Sequence, residues 1–301
     1  MMPIYLKASR FIWFLLWNNY LKENSLHNAM NIHSTIKAFQ CFLLLFAVII
    51  SQCIHAQQSK EELSQEAANP LADLMSFPFQ NNLNMNYGEF NRNTNILNIQ
   101  PVIPFAGGRL ITRTIFPIVN FPDFSQETGN NTFGLSDIVF SAFYTPKSKV
   151  TWGIGPVLEI PTGGEKRGTQ KWSAGPSFLI LVQPGQWTFG ALINNAWSFA
   201  GNSERDDVNH MLLNLFIVRQ LGEGWYVNSA PIITADWTAD QGQQWIVPIG
   251  IGGGKLVMLG GKLPLNLQTQ IYYNVVRPDF GPEWQWRFQA QILLPKSIFS
   301  K

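Results

Sequence analysis

The chain has 301 residues, with 21 Lys/Arg against 19 Asp/Glu, and only 13% of it is charged, about half the usual share. Past Ala56 there are 17 basic and 18 acidic side chains, which leaves no electrostatic ground for a nucleic-acid partner. Cys41 and Cys53 both precede that point and only His210 follows it, so the remainder has no disulfide framework, and neither a His/Cys metal site nor a cofactor is expected.

The first feature in chain order is residues 30–56. Lys37 stands before an apolar run at 38–50, too short to span a bilayer, and Ile54-His55-Ala56 ends the stretch on a small residue. These are the parts of a secretory signal peptide, expected to be cleaved after Ala56. Gln52 is too large for the usual lipidation motif at Cys53. Residues 1–29 precede a complete signal and are expected to be an upstream mis-start, with Met30 as the start. Residues 57–81 are polar and weakly helical around "SKEELSQEAANPLADLMS", with Pro70 interrupting, and read as a periplasmic lead-in.

From 82 to 295 the pattern changes to segments of period two, the spacing of β-strands with one wet and one apolar face. "LPLNLQTQIYYNV" (263–275) alternates Leu/Ile/Tyr with Asn/Gln, and "WQWRFQAQILL" (284–294) alternates Trp/Phe/Ile with Gln and Arg. About twelve such segments recur, near the length of tilted membrane strands. Their spans are 82–88, 94–105, 109–120, 133–145, 149–161, 171–182, 187–199, 208–219, 225–237, 244–252, 263–275 and 284–294. Pro101, Pro117, Pro156, Pro176 and Pro231 fall inside them, where bulges are expected. Residues 296–301 form a C-terminal tail.

Three features favour lipid over a soluble core on the apolar face. Tyr144, Trp152, Trp172, Trp187, Trp197, Trp225, Trp237, Trp245, Tyr273 and Trp284 sit near strand ends on that face, as interfacial girdles require. Connections alternate between tight turns ("FAGG", "TPKSK", "QPGQ", "QLGEG") and longer polar loops at 121–132, 161–170, 200–207, 238–243 and 276–283. The opposite face is read as too polar to pack a second sheet. Only helices or closed barrels span lipid. The expected fold is therefore all-β, an antiparallel transmembrane β-barrel of about twelve strands in the outer membrane, preceded by a cleaved signal peptide and a short helical or irregular segment. Its partners would be membrane lipid, the outer-membrane assembly machinery and small-molecule solutes.

Several phrases carry a resemblance: "NILNIQPVIPF", "ITRTIFPIVNFP", "GLSDIVFSAFYTP", "WGIGPVLEIPTGG", "KWSAGPSFLI", "GWYVNSAPIITADW", "WIVPIGIGGGK", "YYNVVRP" and "WQWRFQAQILLPK". Over roughly residues 69–296 the chain resembles a family of bacterial outer-membrane β-barrel proteins called simply transporters, some labelled neuromedin U. That family is similar to the outer-membrane proteins of meta-cleavage phenol-degradation clusters. The resemblance implies the barrel, its location and uptake of small organic or aromatic compounds; it carries no catalytic residues. Outer-membrane barrels usually end on an aromatic residue read by the assembly machinery, whereas here the last strand ends at Leu294-Pro295, with Phe299 near the terminus.

The candidate site is the lumen. Arg109 and Arg113 on the third strand, Asp137 on the fourth, Glu159 on the fifth, Asp236 on the ninth and Arg287 on the twelfth share the polar parity, with Gln268, Gln270 and Gln289 in the amide rows. Charges in a narrow bore must be paired or hydrated. They form either a salt-bridged ladder that fills it or a constriction that selects solutes. Two rival readings stand beside the channel. One is a barrel enzyme such as a lipase, with Ser203, Asp206 and Asp207 preceding His210 in one loop; the other is a secreted β-sandwich that binds ligands. No nucleophile motif accompanies His210, and no catalytic residue is assigned. "IGIGGGK" (249–255) lacks phosphate-loop spacing and reads as a glycine-rich strand end and turn.

Overall fold

The computed structural model describes residues 60–261 and 263–294; the expected upstream extension, signal peptide and C-terminal tail lie outside the described residues. The elements are α1 (Lys60–Ala67), β1 (Met75–Tyr87), β2 (Arg92–Ile99), β3 (Val102–Phe105), β4 (Leu110–Phe121), β5 (Thr132–Leu135), β6 (Ile138–Tyr144), β7 (Thr151–Ile160) and β8 (Lys171–Val182). They continue with β9 (Trp187–Gly201), β10 (Asn209–Gly222), β11 (Trp225–Ser229), β12 (Ile232–Asp236), β13 (Trp245–Leu259), β14 (Leu263–Val276) and β15 (Trp284–Leu294). β2/β3, β5/β6 and β11/β12 are each one strand broken in the middle, so the wall has twelve strands. All neighbours pair antiparallel, and β15 returns to β1 from Met75↔Leu294 to Met85↔Trp284. The barrel is closed and has no free edge, the arrangement that satisfies every strand's hydrogen bonds in lipid.

The breaks fall where proline or a loop interrupts the ladder. Pro101 and Pro231 stand at two of them. Pro156 and Pro176 lie inside β7 and β8, opposite each other. Neither has an N–H to give, and on its other side each meets a gap in the ladder with the register kept. The β6–β7 pairing resumes at Tyr144↔Ile154 after Ser141↔Val157, and the β8–β9 pairing at Ser177↔Asn194 after Ala174↔Trp197. The bulges expected at these two prolines are therefore absent; an extra residue falls instead opposite Pro117, where the pairing of β4 passes from Ile118↔Leu135 to Ile115↔Val139. Gly155 precedes Pro156 and has the Ala142 carbonyl where a Cβ would sit, so only glycine lets the two backbones approach there.

Two boundaries differ from the sequence reading. β1 starts at Met75 rather than 82, and β13 continues through Gly252-Gly253-Gly254 to Leu259 rather than turning near 252. The glycines are the interior of a strand. Cβ atoms on Gly250, Gly252 and Gly254 would collide with Tyr272, Gln270 and Tyr226 respectively. The glycines hollow one wall so that these large polar side chains can lie inward.

The outward face is apolar and ringed with aromatics. Trp187 and Trp225 are exposed near the short-turn end; Trp172, Trp197, Trp237, Tyr273 and Trp284 are exposed near the long-loop end. Arg219 lies over Trp187 and Lys255 over Trp225, both at the short-turn rim, where a cation can reach headgroups while its stem stays in hydrocarbon.

The inward face differs from the expectation. It is polar on β1, β2, β14 and β15 but apolar on the opposite wall, where Ile111, Phe143, Leu179, Leu181, Leu192 and Phe216 form one cluster with Leu71 and Val102. The polar rule over-generalised because the amide-rich strands at the two ends of the chain become neighbours at closure. Residues 60–74, read as a lead-in, pack inside the short-turn mouth. Leu63, Ala72 and Leu74 cluster with Leu256 and Leu293, and Ser64 donates to Gln220 Oε1 at 2.8 Å.

Candidate functional site

The bore contains two cavities in line. The lower one, about 170 Å³, is floored by α1 and residues 68–74 and walled by amides of β1, β14 and β15. The upper one, about 520 Å³, runs toward the long loops and is rimmed by Glu159, His210 and Asp236. Six residues line both: Gln80, Gln100, Arg113, Leu192, Asn214 and Ile232. They form the waist.

Each expected lumen residue finds a distinct setting. Arg109 is exposed at a short turn beside Asp73 and Lys147, off the bore wall; strand 4 begins at Leu110, and the turn carries its predecessor out. Asp137 stands at the β5/β6 break, and its carboxylate accepts from the Gly163 amide at 2.9 Å and the Thr169 amide at 2.6 Å. It secures the 161–170 loop instead of facing an arginine. Glu159 meets His210 Nε2 at 2.7 Å. Asp236 lies opposite His210 on the β10–β12 ladder and accepts from the Thr238 amide and hydroxyl. The expected belt of Arg109, Arg113, Asp137 and Glu159 is not assembled as ion pairs, because the acids sit near the loops and the arginines at and below the waist. Gln268 accepts from Asn228 at 2.6 Å, Gln270 accepts from Arg287, and Gln289 lines the lower cavity.

The two inward arginines are used differently. Arg287 is 3% exposed. Its Nε donates to Asn82, Nη1 to the Ala230 carbonyl and Gln270, and Nη2 to Gln285, at 3.0, 2.9, 3.3 and 3.0 Å. Four of its five N–H groups are thus spoken for, one of them by a carbonyl freed at the β11/β12 break. Tyr272 Oη accepts the Ala230 amide, and Asn214 donates to the Pro231 carbonyl, at the same break. Arg287 therefore repairs the wall. Arg113, on β4 opposite Ser141, donates only to Gln100 among the described residues, and no ion pair there engages either guanidinium.

His210 is the inward residue that the lipase reading needed. Its side chain bonds to Glu159 rather than to Ser203, Asp206 or Asp207, and Asp207 instead pairs with Lys171 at 3.1 Å. The waist partners Gln80, Gln100 and Asn214 were not singled out from sequence. Their inward parity was readable, but which of many amides stand level with Arg113 depends on register.

No family model matches this chain, and no curated protein does either. Among solved structures, the chain is similar to the COG4313 outer membrane channel from Pseudomonas putida F1, at 14% identity and TM-score 0.53, over 73% of this chain and 94% of that one. It is also similar to the NanC porin, at 7% identity and TM-score 0.47, over 73% and 99%, and to outer membrane phospholipase A from Escherichia coli, at 10% identity and TM-score 0.39, over 78% and 98%. At 14% identity the likeness to the COG4313 channel bears on the fold alone, a closed twelve-stranded antiparallel barrel.

Proposed function

We propose that the protein is an outer-membrane channel that passes small solutes through the bore, with residues 60–74 as a stopper at the periplasmic mouth. The observation that carries this is the pair of cavities in line, joined at a waist of Arg113 and amides. A barrel filled only for stability would have its inward charges paired and its interior packed. The apolar, Trp-ringed outward face supports the membrane location, and a signal peptide at 30–56 would deliver the chain there. The COG4313 outer membrane channel's fold is in keeping with a channel, and the resemblance to transporter-labelled barrels with passage of small organic compounds. Membrane lipid and the assembly machinery are the partners this requires.

Planar-bilayer recording of the purified protein tests the reading. Discrete conductance steps are expected, rare in the parent and giving way to sustained opening of the same size in a chain lacking residues 60–72. Silence of both proteins, once each has inserted as a heat-modifiable barrel, would overturn the channel.

A further inference from the structure

We infer that the waist is a binding site for small organic monocarboxylates, with the carboxylate held by Arg113 and the hydrocarbon body in the upper cavity. The inference rests on the channel reading for its biological sense, but it is a statement about a binding site and stands or falls on separate measurements.

Arg113 is the starting point. A guanidinium offers five N–H donors in a planar fork, and here one goes to Gln100 and none to a carboxylate among the described residues. Arg287, on β15 with β1 and the broken strand β2/β3 between it and β4, has its donors consumed by the wall and so adds positive charge without competing for the ligand. The lower cavity offers a further donor, since the buried Gln270 Nε2 has no partner. A cation facing a cavity with several donors unused must be hydrated or hold an anion. Carboxylate matches the fork in bidentate geometry.

The rest of the upper cavity sets the ligand's other end. Ile115, Val157, Leu192, Leu212 and Ile232 give it one apolar side beside seven Asn and Gln side chains, and its volume is about 520 Å³, within the range of small-molecule pockets. One ring or a short branched chain fits there. Asp236 and Glu159, the latter paired with His210, occupy the outer rim of the same cavity. They penalise a second negative group at that end and orient a monoanion with its charge inward. A dianion, or a bare inorganic anion that leaves the apolar wall uncovered, is disfavoured on both counts.

The test uses detergent-solubilised full chain and four probes: cyclohexanecarboxylate, its neutral carboxamide, acetate and inorganic phosphate. Calorimetric titration should give binding of cyclohexanecarboxylate about tenfold or more tighter than each of the others. Arg113→Gln should remove that preference and leave the carboxamide unchanged, while Arg113→Lys should keep part of it, since lysine retains the charge without the fork. Equal affinity for acid and amide overturns the proposal, as does an Arg113→Gln protein that binds the acid as well as the parent. Phosphate or acetate binding as tightly as cyclohexanecarboxylate overturns the organic part. If Arg113→Gln fails to assemble, the acid-against-amide comparison on the parent chain decides alone. Selective binding with silent bilayers would leave the site and remove the channel; conductance without selective binding would do the reverse.

Discussion

Lys171 illustrates how a single charge at the barrel rim acquires a partner. It opens β8, is 8% exposed, and its ammonium donates to Asp207 across the loop that joins β9 to β10. That hydrogen bond, and then the ammonium's charge, hold the Asp207 carboxyl below the usual carboxylate range, with Ser198 as a further donor. A depressed carboxylate contributes stability that is present above its unfolded value of about 3.9 and is lost as pH falls through its lowered folded value. The loop should therefore be equally tight at pH 7 and pH 5 and loosen only below about pH 4. Amide-exchange protection at Val208, whose N–H donates to Ser198 Oγ, should follow that course. Asp207→Asn should lower protection at neutral pH, because a shielded ammonium loses its partner, and should flatten the pH dependence. Protection unchanged by Asp207→Asn would mean that the pair does not hold the loop. The sequence put Asp207 in this loop but offered Ser203 and His210 as its company. Lys171 lies 36 residues away, and only the antiparallel folding of β8, β9 and β10 brings the two together.

At the scale of elements, the strand alternation was legible because period two survives any tilt or twist. β14 and β15 carry their Asn/Gln and Leu/Trp faces as read. What was not legible depends on neighbours. The glycines of β13 looked like a turn because glycine weakens a strand in isolation; they belong to one because Tyr272, Gln270 and Tyr226 lie against them. The apolar inner wall escaped for a similar reason: Leu192 and Phe216 alternate correctly, but their parity does not say whether the inside is wet. A direct check compares two charges at similar depth on opposite faces. Ile271, outward on β14 and 50% exposed, becomes a lipid-facing charge in Ile271→Arg, at a cost of about 2–4 kcal/mol near mid-membrane. Asn98→Arg puts the same group into the upper cavity, where water can reach it. The first should lose most heat-modifiable barrel in unheated SDS gels, and the second should retain it. Equal loss in the two would refute the face assignment.

The described residues form a closed wall around a bore, with residues 60–74, the proposed stopper, packed in its short-turn mouth. The stopper is held by modest means: Leu63, Leu74 and Ala72 against Leu256 and Leu293, Leu71 in the opposite cluster, and hydrogen bonds from Ser64 to Gln220 and between Gln65 and the Gly185 carbonyl. A fully buried leucine contributes about 1.5–3 kcal/mol, and part of the total is offset by the entropy of ordering the segment. A net hold of a few kcal/mol gives an open fraction well below one in a hundred, since each ~1.4 kcal/mol is a factor of ten. The parent protein should thus be closed most of the time and open in rare events. Leu63→Ala removes buried contacts worth about 2–5 kcal/mol from the cluster that joins stopper and wall. It should raise the open fraction at least about tenfold while the conductance of each opening stays the same, because the waist at Arg113 is untouched. Deletion of 60–72 should abolish closures altogether and leave any carboxylate preference in place. Single-channel records separate these outcomes: a Leu63→Ala change in conductance rather than open time would place the narrow point at α1 instead of the waist. An unchanged open fraction in both variants would mean that residues 60–74 brace the wall and do not gate it.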